Sequence, residues 1–200
     1  MQTKARLLAS VLALLASCAG APAADNADPG ADAVARAKLT RIVDAEPKNA
    51  AALIELGLLE ARTQQPDAAI AHLQRATRAE PDSAAAWLAL GVTACENGKL
   101  DLALAALSQA VLLEPRNAKA HNYLGVTVGR KGWKDGAEAE LQRALELDDT
   151  LADAHFNLAV VYLQENPPPL ELARRHYYRA RELGAAPDSL VEKQLKRSKE

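Results

Sequence analysis

The sequence predicts an all-α protein, an α-solenoid of helical hairpins stacked in series. Three observations predict it. The first is a fixed spacing: Gly57, Gly91 and Gly125 lie 34 positions apart, as do Pro47, Pro81 and Pro115. Ala69, Ala103 and Ala137 keep the same step, followed by Leu73, Leu107 and Leu141, then Ala76, Ala110 and Ala144. A period of this length marks a stacked array rather than a domain with one centre. The second is a double helical rhythm inside each period. Trp87, Leu90, Gly91 and Ala94 follow one helix face, and Ala103, Leu107, Ala110 and Val111 follow another. The third is composition: 49% of residues are apolar but only 4% aromatic. Small apolar residues allow the close helix packing that a solenoid needs.

From the start of the chain, residues 1–17 have the parts of an export signal. Lys4 and Arg6 supply the positive start, and Leu7 to Leu15 an apolar core too short to span a bilayer. Leu15-Ala16-Ser17-Cys18 resembles the bacterial lipobox. That resemblance implies cleavage before Cys18 and lipid attachment to its thiol. The alternative is an ordinary signal cut near Ala21 or Ala23, with Cys18 incidental. Residues 18–32 are small, polar and without an apolar period, and are expected to form a flexible tether with a reach of about 20 Å.

Residues 33–49 match only the second helix of a period, through Ala35, Leu39, Ile42 and Pro47. They are expected to be a degenerate half-repeat closing the N-terminal end. Full repeats follow at 50–83, 84–117 and 118–151. In each, an acid (Asp67, Asp101, Asp135) begins the second helix, where it suits the positive dipole end. Asn49, Ser83 and Asn117 are placed to cap the next first helix. Asn97-Gly98 marks the turn between the helices. Gly57, Gly91 and Gly125 let the partner helix approach closely, with Ala69, Ala103 and Ala137 as the expected counterparts. The third repeat has Asp149 in place of the terminal proline, with Asp148, Asp149 and Thr150 offering caps. The fourth, residues 152–186, has Ala159 in place of glycine, and Asn166-Pro167-Pro168-Pro169 lengthens its turn by two residues. Residues 187–200 are expected to form a C-terminal capping helix. Ser189 and Glu192 have capping-box spacing, and Leu190, Val191 and Leu195 form its apolar side.

The period, the small residues and the terminal proline resemble the tetratricopeptide repeat (TPR) family from about Ala33 to Leu183. The resemblance implies a right-handed superhelix of about four repeats, with a concave groove lined by the first helix of each pair. The family's groove positions fall here on Ile54, Leu58 and Arg62, then Leu88, Val92 and Glu96. They continue on Lys119, Asn122, Val126 and Arg130, and on Phe156, Asn157, Val160 and Gln164. An apolar stripe with a polar rim suits a partner's amphipathic helix or extended peptide. Some relatives clamp a peptide C-terminus with lysine and asparagine, but here Ile54 and Leu58 hold those places.

No chemistry of catalysis stands out. There is no GxSxG, phosphate loop, HExxH or paired CxxC. His121 and His155 share one place in the repeat, and His72 and His176 another; they are expected to be packing residues, without a metal. Cys95 follows the apolar rhythm of its helix. The chain carries 24 basic against 26 acidic residues, a net charge of −2. That balance argues against a nucleic-acid partner. The sequence therefore predicts a non-catalytic scaffold without cofactor, binding a protein or peptide. With the lipobox, it would be anchored in a bacterial envelope, at the outer membrane facing the periplasm; with an ordinary signal, it would be a periplasmic chaperone-like protein. The third alternative is a cell-envelope hydrolase, against which the missing nucleophile-and-base pairs speak.

Overall fold

The computed structural model describes residues 29–196. The expected signal segment and Cys18 lie outside the described residues. Within them the chain forms ten helices and no strand. These are α1 (Pro29–Ala45), α2 (Ala50–Arg62), α3 (Pro66–Ala79), α4 (Ala84–Glu96) and α5 (Leu100–Leu113), then α6 (Ala118–Arg130), α7 (Lys134–Leu147), α8 (Ala152–Leu163), α9 (Leu170–Glu182) and α10 (Ser189–Lys196). Helices α1–α5 belong to one compact unit and α6–α10 to another, with the division at Pro115 and Arg116.

In the first unit α1 packs on α2, α2 pairs with α3, α3 with α4, and α4 with α5; α2 and α4 also lie side by side. The interior holds Val43, Leu53, Leu56, Leu73, Leu90 and Leu107, all at most 3% exposed. Burying each such leucine stabilises the stack by about 2 kcal/mol. The first helices start where the sequence predicts. Asn49 accepts from the Ala52 amide at 3.0 Å and Ser83 from the Ala86 amide at 3.3 Å. Each satisfies one of the amides that the first turn leaves without a partner.

The close approach at the glycines is real, but its partner differs from expectation. A Cβ on Gly91 would lie 2.5 Å from Leu107 Cγ, and one on Gly57 2.7 Å from Leu73 Cγ. The counterpart is the leucine four residues on from the predicted alanine, because a helical side chain leans back over the preceding turn. In the first repeat that alanine contributes its backbone: Ala69 O would lie 3.2 Å from a Cβ on Gly57.

Helix α1 begins at Pro29, so residues 29–32 belong to it rather than to the tether. Proline is pre-organised for a first helical turn, and Asp32 meets the positive dipole end. Tertiary contacts also hold this end. Asp32 Oδ1 accepts from Arg62 Nη2 at 2.5 Å, and Thr63 Oγ1 accepts from Arg36 Nη2 at 2.6 Å.

In the second unit α6 pairs with α7, α7 with α8, and α8 with α9, while α6 lies beside α8 and α10 packs on α9. Leu141, Leu158 and Tyr177 are its largest buried side chains, with Val160, Val161 and Val191. Asn117 caps α6 through the Ala120 amide at 3.1 Å. Helix α8 has Leu151 at its N-cap and no side-chain cap. Asp148 instead closes the preceding turn, accepting from both the amide and the hydroxyl of Thr150. Helix α10 is capped by Asp188 rather than Ser189. The Asp188 carboxylate accepts from the Leu190 and Val191 amides, and the Asp188 amide donates to the Tyr177 hydroxyl at 2.9 Å. Val191 and Leu195 of α10 are buried, whereas Leu190 is exposed.

Candidate functional site

In the first unit each first helix buries three of its sides and leaves one line open. On α2 the buried residues include Ala52, Leu53, Leu56, Gly57 and Leu59. That leaves Ala51, Glu55, Leu58 and Arg62 exposed or partly so, and Ile54 half-buried. On α4 the buried set runs through Ala86, Ala89, Leu90, Gly91, Ala94 and Cys95, leaving Leu88 and Val92 half-buried and Ala85 and Glu96 exposed. Of the predicted positions of this unit, Leu58, Arg62 and Glu96 are exposed and Ile54, Leu88 and Val92 half-buried. Leu58 is the most exposed apolar side chain among them, at 49%. Ile54 also packs against both apolar clusters of the unit, so it belongs as much to the interior as to the face.

The two charges on this face differ in kind. Arg62 is neutralised by Asp32. Glu96 has no ion-pair partner among the described residues, and although solvent reaches it, the surrounding protein desolvates its carboxyl and holds it above the usual carboxylate range.

The second unit treats the equivalent positions differently. Lys119 is accessible; Arg130, Phe156 and Gln164 are half-buried. Asn122, Val126, Asn157 and Val160 are buried, at 4%, 2%, 7% and 0% exposure. These four, expected on a binding face, are thus closed to solvent. The two asparagines answer each other: Asn157 Nδ2 donates to Asn122 Oδ1 at 3.0 Å, linking α8 to α6. A buried amide needs such a partner, and here the neighbouring repeat supplies it. The Gln164 side-chain nitrogen is buried without a hydrogen-bond partner, while its backbone carbonyl accepts from Lys134 Nζ.

Spacing alone does not reveal the histidine partners. His121 and His155 each turn toward the second helix of their own repeat. His121 Nδ1 lies 2.7 Å from a Glu140 carboxylate oxygen, and His155 Nδ1 lies 2.9 Å from His176 Nδ1. In the first repeat His72 Nδ1 meets Glu60 at 2.7 Å. Position 72 corresponds to 140, and to 176 after the two-residue insertion, so one place on the second helix makes the polar contact in three repeats. His155 Nε2 faces the Asp149 carbonyl at 3.1 Å and donates to it, which leaves Nδ1 to accept the proton of His176 Nδ1. A cavity of about 380 Å³ beside this pair is lined by Arg175, Tyr178, Arg179, Asp149 and Glu182.

Among the described residues no cluster of three or more metal-ligating side chains occurs, and no helix is long and apolar enough to cross a membrane.

Two descriptions of the tetratricopeptide repeat match the sequence, one at residues 33–83 and 56–111, the other at 93–132. Together they span half of the chain. No curated protein sequence matches it. Among solved structures, the chain is similar to MamA from Desulfovibrio magneticus RS-1, with 20% identity and a TM-score of 0.70 over 80% of this chain and 90% of that one. It is similar to YrrB, described as a TPR protein with an unusual peptide-binding site, with 22% identity and a TM-score of 0.67 over 86% of this chain and 85% of that one. It also resembles TTC0263, a thermophilic TPR protein from Thermus thermophilus, with 24% identity and a TM-score of 0.64 over 82% and 89% of the two chains. At these identities the likeness is one of fold.

Proposed function

Starting from a chain that belongs to the tetratricopeptide repeat family, we propose a non-catalytic scaffold that holds a partner polypeptide on the open face of α2 and α4. One observation carries this reading. Leu58, Leu88 and Val92 leave apolar surface open to solvent on neighbouring first helices, although most other large apolar side chains of these helices are buried. An apolar line of this kind gains by covering a partner's apolar side chains. YrrB, which shares the fold, is described as having a peptide-binding site, and this supports the reading by analogy.

The binding face is narrower than the family positions imply. It consists of Leu58, Leu88 and Val92, with Arg62 and Glu96 at the ends of their helices. Lys119, Arg130, Phe156 and Gln164 remain accessible in the second unit and would contribute separately. The test is a paired substitution, Leu88→Asp with Val92→Asp, in the full chain. Both side chains are only half-buried, so the far-ultraviolet circular dichroism should be retained while partner capture is lost. Unchanged capture by the folded variant refutes the assignment.

The same proposal includes a lipid anchor at Cys18, which would keep the scaffold at a bacterial envelope membrane. The lipobox sequence Leu15-Ala16-Ser17-Cys18 supports it. Mass spectrometry of the mature N-terminus decides the matter. An acylated Cys18 is the expected species, whereas a start at a later alanine makes the protein a released periplasmic one.

A further inference from the structure

We infer that the segment bound on the α2–α4 face is apolar and carries a lysine or arginine that pairs with Glu96. The inference deepens the scaffold reading and rests on it. It follows from where charge is satisfied on this face and where it is not.

Leu88, Val92 and Glu96 stand at successive turns of α4, four residues apart, and Ile54, Leu58 and Arg62 repeat that geometry on α2. Each helix thus ends its apolar line in a charge of opposite sign. The charge on α2 is answered within the protein, by Asp32 of α1 at 2.5 Å. The charge on α4 has no such partner among the described residues. Lys99, the nearest base in sequence, is held by Asp67 at 2.7 Å. Glu96 therefore combines accessibility with a desolvated carboxyl and no countercharge among the described residues. A carboxylate in that setting is costly until a cation or donor reaches it.

A docking segment changes the balance in one direction. Covering Leu88 and Val92 removes more water from Glu96. An acidic or neutral segment would deepen its desolvation, whereas a basic one offsets it with a charge-assisted hydrogen bond. Charge complementarity thus selects the occupant: two apolar anchors over Leu88 and Val92, with a basic side chain one turn further on. Leu88 to Glu96 spans about 12 Å at the rise of an α-helix. A helical partner would therefore place its base about eight residues from its first anchor.

The experiment is selection from a random peptide library displayed on phage, run on the full chain, on Glu96→Lys and on Leu88→Asp. The wild-type protein should enrich apolar peptides bearing lysine or arginine, and Glu96→Lys should enrich apolar peptides bearing aspartate or glutamate. A selected lysine peptide, resynthesised with glutamate at that place, should bind the wild type about tenfold more weakly, and Glu96→Lys should reverse the order. Apolar peptides selected without charge preference, and lost on Leu88→Asp, would overturn this inference and leave the scaffold reading standing. Peptides selected equally by Leu88→Asp, or none selected at all, would overturn both.

Discussion

Replacing Gly91 with alanine tests the packing argument where it is tightest. In an ordinary helix the exchange is favourable by about 1 kcal/mol, because alanine has the higher helix propensity. Here the added methyl would lie 2.5 Å from Leu107 Cγ, 2.8 Å from Leu107 Cδ2 and 3.1 Å from the Leu107 backbone nitrogen. Rotating the side chain moves Cδ2, but it does not move the main chain. Helix α5 itself must shift away from α4. Overpacking a well-filled interior costs about 1–3 kcal/mol, and a clash that involves backbone belongs at the upper end. The expected net loss is about 2 kcal/mol. Urea titration followed by circular dichroism measures it. Gly136→Ala is the control, since its methyl would meet only Val128 Cγ1, at 3.0 Å, and should change stability by less than about 1 kcal/mol. Combining Gly91→Ala with Leu107→Ala should cost less than the sum of the two, because the truncated side chain makes room for the methyl. A Gly91→Ala protein more stable than wild type, or strict additivity with Leu107→Ala, would refute the reasoning.

Three further outcomes are expected. Burial, followed by the nearby His155 and Arg175, pushes His176 down to about 4, and burial also lowers His155. Both imidazoles are therefore neutral in the folded state at pH 7, and the unfolded chain binds more protons as pH falls. The stability they contribute is complete above about pH 6.5 and lost on acidification toward about 4, so the thermal midpoint should fall over that window and fall less in His176→Gln. Asn157→Leu alone strands the Asn122 amide and should cost about 1–3 kcal/mol, whereas Asn122→Leu with Asn157→Leu should recover most of it in the same denaturation assay. Gln64 holds φ of 57° at the turn position where Gly98 and Gly132 stand in the next two repeats, so Gln64→Gly should stabilise by about 1 kcal/mol in thermal melts.

Much of the fold was legible because it is local and repeated. Asn49, Ser83 and Asn117 cap their helices through amides three residues away, a relation that any single repeat displays. Asp67, Asp101 and Asp135 fall in first turns for the same reason. The places that sequence reading missed depend on a neighbour outside the local pattern. Asp188 displaces Ser189 as the cap of α10 in a turn where its own amide is tied to Tyr177. Pro29 to Asp32 joins a helix whose start is secured by Arg62, thirty residues on from Asp32.

The candidate site divides along the same line. Helical spacing decides which residues share a face, and the family resemblance named the line of Leu58, Leu88, Val92 and Glu96 as the groove-facing one. Spacing carries no information on whether that face stays open. The same positions are accessible in α2 and α4 but buried at Asn122, Val126, Asn157 and Val160. The period sets direction around a helix axis; burial depends on what packs there, and one repeat in isolation does not contain its neighbour. The histidines show the same division, since their order in the repeat was visible from the start, while the choice of Glu60, Glu140 or His176 as partner was made only when the two helices of a hairpin closed on each other.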